Sequence, residues 1–187
     1  MPESRPPLEL RGMPLAELQR LAEERKHPPV ESWDPPHCGH SGMRITSDGR
    51  WLHDGRPIKR AAMARLFATI LRREPDGSHV LVTPVEKLTI DIDSTPFRAI
   101  ELQSEGEGKE RKIAFRLDSG DIVFLDSHHP LKPSEDERSP RLLVRHGLEA
   151  EISRPVYYEL AELAITEAHQ PLGLWSCGTF FPLAAPE

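Results

Sequence analysis

The sequence predicts an α+β protein, internally duplicated, with mostly antiparallel strands and one main helix in each half. Three observations lead there. Short alternating or apolar stretches are joined by the turn pairs Asp48-Gly49, Asp54-Gly55, Ser119-Gly120 and His146-Gly147, where glycine supplies the positive φ of a tight turn. The strand–helix–strand rhythm of a parallel sheet is missing. A hairpin, then Arg-Pro-aliphatic, then a helical stretch occurs twice, at Arg56-Pro57-Ile58 and at Arg154-Pro155-Val156, a little over half the chain apart.

Residues 1–27 read as a Pro-rich tail, Met1 to Gly12, and a short helix, Pro14 to Lys26, with Leu15, Leu18, Leu21 and Ala22 on one face. Pro28-Pro29 stops it. The N-terminal half is expected over 28–87. An extended arm, His27 to Gly42, packs on the body through Trp33. Strands follow at Met43 to Thr46 and Arg50 to His53. A helix is expected from Lys59 to Arg73, because Met63, Leu66, Phe67, Ile70 and Leu71 recur at helical spacing. Pro57 suits its mouth, where a fixed φ fits the first turn. Val80 to Thr83 is a strand broken by Pro84, which leaves Glu86 and Lys87 on a kinked, irregular segment.

The C-terminal half is expected over 88–187. Leu88 to Ile92, Phe97 to Leu102 and Ile113 to Leu117 are strands, with a polar loop at Glu105 to Lys109. Ile122 to Leu125 is apolar throughout and expected to be buried on both faces. His128 to Arg141 reads as loop, with an acidic patch at Glu135 to Glu137. Leu142 to Arg145 and Leu148 to Ile152 form a hairpin. The second helix buries Val156, Leu160 and Leu163 and turns Glu159 and Glu162 outward. The apolar tail, Leu172 to Phe181, docks on the body.

Composition bounds the function. Over 187 residues the net charge is -6, 37% of residues are hydrophobic and 19 are proline. An acidic balance argues against general nucleic-acid binding, which needs a broad basic surface. No apolar window is long enough to span a membrane, and the first residues lack the apolar core of a signal peptide. Two cysteines, Cys38 and Cys177, make no disulfide framework. A cytoplasmic protein without membrane or nucleic-acid partners is expected.

Charge placement marks a site. Lys59 to Arg73 holds five cations and no acid. Lys59 and Arg60 fall on the apolar arc at the helix mouth, where a cation opposes the helix dipole at a cost of about 0.3–1 kcal/mol. A compensating anion is implied. It is either a carboxylate of this chain, Glu86 foremost, or a ligand phosphate on the free N–H groups of the first turn. Trp51 and His53 share a strand face that could stack on and hydrogen-bond a base. Arg56, Glu86, Lys87 and Arg145 complete the expected rim. The ligand expected is an anionic small molecule in the cleft between the halves.

Other chemistry is poorly supported. His37, Cys38 and His40 resemble half of a zinc site, but Cys177 alone is left for the other half. No metal or cofactor is therefore expected, and Cys38 is read as a small buried hydrophobe. Nucleophile-elbow, zinc-protease, dinucleotide and phosphate-loop motifs are all missing. No catalytic residue is assigned. The reading is a non-catalytic ligand-binding module, with a protein-interaction module or an enzyme of non-standard site as alternatives.

Several blocks together carry a resemblance: Cys38-Gly39, Met43-Arg44-Ile45, Asp48-Gly49-Arg50-Trp51, Gly55-Arg56-Pro57-Ile58, Leu66-Phe67, Leu81 to Lys87, Pro96-Phe97 and Arg145 to Ala150. From Trp33 to about Tyr158 the chain resembles the bacterial DUF1285 proteins. The resemblance implies a duplicated α+β architecture whose C-terminal half looks like a pleckstrin-homology fold. It also implies a nucleotide-like ligand at the interface of the halves and a role in signalling. Two positions depart from the family pattern, His40 where Asp is expected and Arg50 where Thr is common.

Overall fold

The structure is a computed structural model and describes residues 10, 12–133 and 139–183. The expectations for the first nine residues and for Glu135 to Glu137 lie outside the described residues. Helix α1 (Leu15–Glu24) comes first. The first sheet contains β1 (His37–Ile45), β2 (Trp51–His53), β3 (Arg56–Pro57), β4 (Leu71–Arg73), β5 (His79–Val82) and β6 (Glu86–Ile92), with α2 (Ala61–Thr69) between β3 and β4. The second contains β7 (Phe97–Glu105), β8 (Lys112–Leu117), β9 (Ile122–Phe124), β10 (Leu131–Lys132), β11 (Arg141–Arg145) and β12 (Leu148–Ile152). Helix α3 (Arg154–Glu167) follows, then a hairpin of β13 (Gly173–Ser176) and β14 (Thr179–Pro182).

The two halves repeat one plan. The first sheet runs β3-β2-β1-β6-β5-β4, and the second, taken from its far edge, runs β9-β8-β7-β12-β11-β10. Each joins two antiparallel three-strand units along one parallel pair, β1 with β6 and β7 with β12. Both sheets are therefore mixed, and the second is a half-barrel.

The repeat register differs from the expected one. Hairpin β1–β2 corresponds to β7–β8, not to β11–β12, and the helix lies between the three-strand units in the first half but after both in the second. The two Arg-Pro-aliphatic triplets are therefore not equivalent. Arg56 and Pro57 form an edge strand, where a missing N–H is tolerated, whereas Arg154 and Pro155 open α3.

Other boundaries also move. Strand β6 bonds to both β5 and β1, so the halves divide at 93–96 rather than after Lys87. Helix α2 ends at Thr69, because Leu71 pairs with Leu81 to start β4. Leu71 thus serves the sheet, and Leu66 and Met63 remain 64% and 42% exposed. Cys38 is exposed rather than buried, since the first four residues of β1 stand clear of the packed layers.

One core joins the halves. Ile45, Leu71, Leu81 and Ile90 of the first sheet meet Phe97, Ala99, Leu102 and Phe115 of the second, and Val156, Leu160 and Ala164 of α3 close it. Leu10, Leu15 and Leu18 pack on Ala114 and on the half-buried Ile122 and Phe124. Each fully buried Leu contributes up to about 1.5–3 kcal/mol, which holds α1 in place. As expected, both faces of β9 are packed, Trp33 anchors the arm against Val80 and Val82, and the C-terminal hairpin buries Leu174 and Phe181. No helix of the described residues is long and apolar enough to cross a membrane.

Candidate functional site

The mouth of α2 carries exposed cations. Arg56, Lys59 and Arg60 are all exposed, and none has an ion pair among the described residues. The internal Arg60–Glu86 bridge considered from the sequence is not formed. Arg60 occupies the N-cap position in extended conformation and provides no side-chain cap, so α2 begins with open N–H groups.

Glu86 and Lys87 lie elsewhere for a local reason. The Thr83 hydroxyl accepts the N–H groups of Val85 and Glu86 at 3.3 and 3.2 Å, and Thr83 N–H bonds back to Glu86. Pro84 therefore sits in a closed turn, and Glu86 and Lys87 are the first residues of β6 rather than an irregular segment. Glu86 pairs with His37, and Lys87 bonds to Glu74 at 3.4 Å beside Arg72. His53 is exposed and lies 3.6 Å from its neighbour Asp54.

Trp51 faces the joint between the halves. Its ring stacks on Phe67 of α2, with centroids 6.2 Å apart and planes at 26°. It also borders a cleft of about 120 Å³, walled by Ala61, Ala64 and Arg65 of α2 and by Phe97, Asp118 and Ser119 of the second half. The alanines leave the space. Gly49, at φ +85, permits the close approach, since a Cβ there would stand 3.0 Å from Asp118 Oδ2. Asp118 Oδ1 accepts the Arg98 N–H at 3.1 Å, and the Arg98 guanidinium donates to Asp48 O at 2.9 Å across the joint. Burial pushes the Asp118 carboxyl up to about 6, against the lowering effect of its backbone hydrogen bonds.

Arg145 is not on the rim of this mouth. Its Nη2 donates to Ala68 O at 2.9 Å, its Nη1 lies 3.3 Å from Asp121, and its guanidinium sits 4.9 Å over the Phe97 ring. Ala68 is eight residues along α2 from Arg60, roughly 12 Å at the helical rise. Asp121 also meets Arg25 at 2.7 Å, His27 at 3.3 Å and the Ser119 hydroxyl at 2.7 Å. Burial alone would raise its carboxyl, but these partners hold it well below the usual range.

The expected set thus divides. Trp51 reaches the cleft, Arg56, Lys59 and Arg60 stand at the mouth of α2, Glu86 and Lys87 begin β6, and Arg145 lies at the far end of α2. Arg65, Asp118 and Asp121 were missed from the sequence. The two acids flanking Ser119-Gly120, beside apolar strands, were the available signal.

Residues 28–95 match the domain of unknown function DUF1285, N-terminal domain, and residues 96–183 match the protein of unknown function DUF1285, C-terminal domain. The chain belongs to the DUF1285 family. The two matches meet in the 93–96 connection that divides the sheets. A crystal structure of a DUF1285 family protein from Silicibacter pomeroyi DSS-3 is 40% identical, with a TM-score of 0.78 over 91% of this chain and 94% of that one. One from Shewanella baltica OS155 shares the fold at 24% identity, with a TM-score of 0.51 over 68% of this chain and 93% of that one. No curated protein matches the sequence. In this DUF1285 chain the two family domains meet at Trp51, Arg65 and Asp118.

Proposed function

We propose that the protein is a non-catalytic binding module for an anionic, nucleotide-like or phosphorylated small molecule held where the halves meet. One observation carries this reading. In a chain of net charge -6, Arg56, Lys59 and Arg60 stand without carboxylate partners among the described residues, and Ala61, next in sequence, lines the joint cleft. The cleft is smaller than the roughly 300–1,000 Å³ of whole-ligand pockets. It takes a terminal anionic group beside Arg65, and the rest of the molecule lies over the mouth of α2, within reach of Trp51 and His53. Because Asp118 faces the same space, its protonation favours an anion there. The C-terminal half, a half-barrel followed by α3, supports the pleckstrin-homology-like reading. The signalling role rests on the family resemblance.

A second reading has its own observation. Met63 and Leu66 are exposed on α2 beside the same cations, as on a protein-interaction face.

Titration calorimetry with nucleotides and phosphorylated metabolites separates the readings. For a compound that binds, Arg60→Ala and Arg65→Ala are expected to weaken affinity by about 1.5–3 kcal/mol, the worth of a hydrogen bond to a charged group. Arg60→Ala should leave the unfolding midpoint near wild type, and affinity should rise as pH falls through about 6. Unchanged affinity in both variants, or no phosphorylated compound bound at all, refutes the site. Chromatography of the bound compound after incubation tests for turnover.

A further inference from the structure

A separate cavity of about 650 Å³ lies between α1, the arm and β9, within the size range of small-molecule sites. Ala22, Ile122, Phe124 and Val144 give it apolar walls, and Arg25 and Arg145 meet it around Asp121. Two guanidiniums share that one carboxylate, so the Arg25–Asp121–Arg145 cluster by itself carries one positive charge. Arg25 uses Nε on Asp121 and Nη2 on Ser119 O. Arg145 uses Nη1 on Asp121 and Nη2 on Ala68 O. A guanidinium has five N–H donors, so each keeps donors beyond these bonds. The other charged groups of the lining are Lys112, Glu23 and Asp126. Asp126 accepts the N–H groups of His128 and His129 at 2.8 Å each, and the exposed Glu23 takes Gln19 at 3.1 Å.

We propose that this cavity is a second ligand site, for a small amphiphilic monocarboxylate. The apolar body lies on Ala22, Phe124 and Val144. The carboxylate takes the remaining donors of Arg25 and Arg145 and balances the positive charge of their cluster with Asp121 in a partly desolvated place.

Cys177 borders the same cavity and is exposed, whereas Cys38 is exposed on the first sheet. Maleimide labelling of the purified full chain therefore reports occupancy at one thiol and carries its control at the other. Octanoate at ten times its dissociation constant is expected to slow Cys177 labelling roughly tenfold, by mass action, and to leave Cys38 unchanged. Octanol and octylamine at equal concentration should protect less. Ala22→Trp fills the cavity from a half-exposed helix position, so it should abolish protection with the unfolding curve retained. Arg25→Gln should weaken octanoate roughly ten- to a hundredfold while changing octanol little, as loss of a charge-assisted bond requires. No protection at saturating octanoate overturns the proposal. So does equal protection by octanol, equal slowing of both cysteines, or protection that survives Ala22→Trp. Should Arg25→Gln not fold, Ala22→Trp and the octanol comparison still decide.

Discussion

The guanidinium of Arg145 donates to the carbonyl oxygen of Ala68 at 2.9 Å. A side chain of the second sheet thereby caps the helix of the first. The last carbonyls of a helix lack intrahelical partners, and a cation there is favoured by the dipole. The same side chain holds Asp121 and lies over Phe97. Arg145, read from the sequence as part of the rim at the mouth of α2, instead braces the joint at the far end of that helix.

Arg145→Ala is therefore expected to destabilise the fold by about 3–5 kcal/mol, the usual result of removing one partner of a buried pair. Arg25 and His27 remain on Asp121 and bias the value toward the lower end. Arg145→Lys should recover only part, because an ammonium cannot reproduce the planar fork. Urea unfolding measures both, and a loss near zero for Arg145→Ala would contradict the brace.

Arg60 sits at the N-cap of α2 with extended φ and ψ and no capping side chain. Arg60→Ser should raise stability by about 1 kcal/mol. Serine can accept an open N–H of the first turn, and a cation is removed from the positive end of the dipole. A lower midpoint in denaturant would show that Arg60 has a structural partner.

Asp118 makes stability depend on pH. Its folded pKa, about 6, lies above its ordinary 3.8, so the folded state holds the proton more tightly. The resulting stability is complete below about pH 4 and is lost as pH rises through about 6. Partial exposure limits it to about 1–2 kcal/mol. His79 acts in the opposite sense, since burial lowers its pKa and its contribution is lost as pH falls below 6.5. Asp121, held low, loses its contribution only in stronger acid. The difference between wild type and Asp118→Asn isolates Asp118. Wild type should lose that amount relative to the variant between about pH 4 and 7, and parallel curves would remove Asp118 from the linkage.

Much of the local structure was legible in the residues themselves. The alternation around Ile113, Phe115 and Leu117, the stripe of Val156 and Leu160, the arm anchored by Trp33 and the docked tail follow from apolar periods within a few positions. The same local signal misread α2, because Ile70 and Leu71 continue its spacing while Leu71 pairs into β4. Only the tertiary structure decided the parallel pairing of β1 with β6, hence the place where the halves divide, and the separation of Arg145 from Arg60. Arg145 and Ala68 are 77 positions apart. No period links such residues. Their contact exists because two sheets share one core and bring the end of α2 beneath β11, where a buried carbonyl and a buried carboxylate both require a donor.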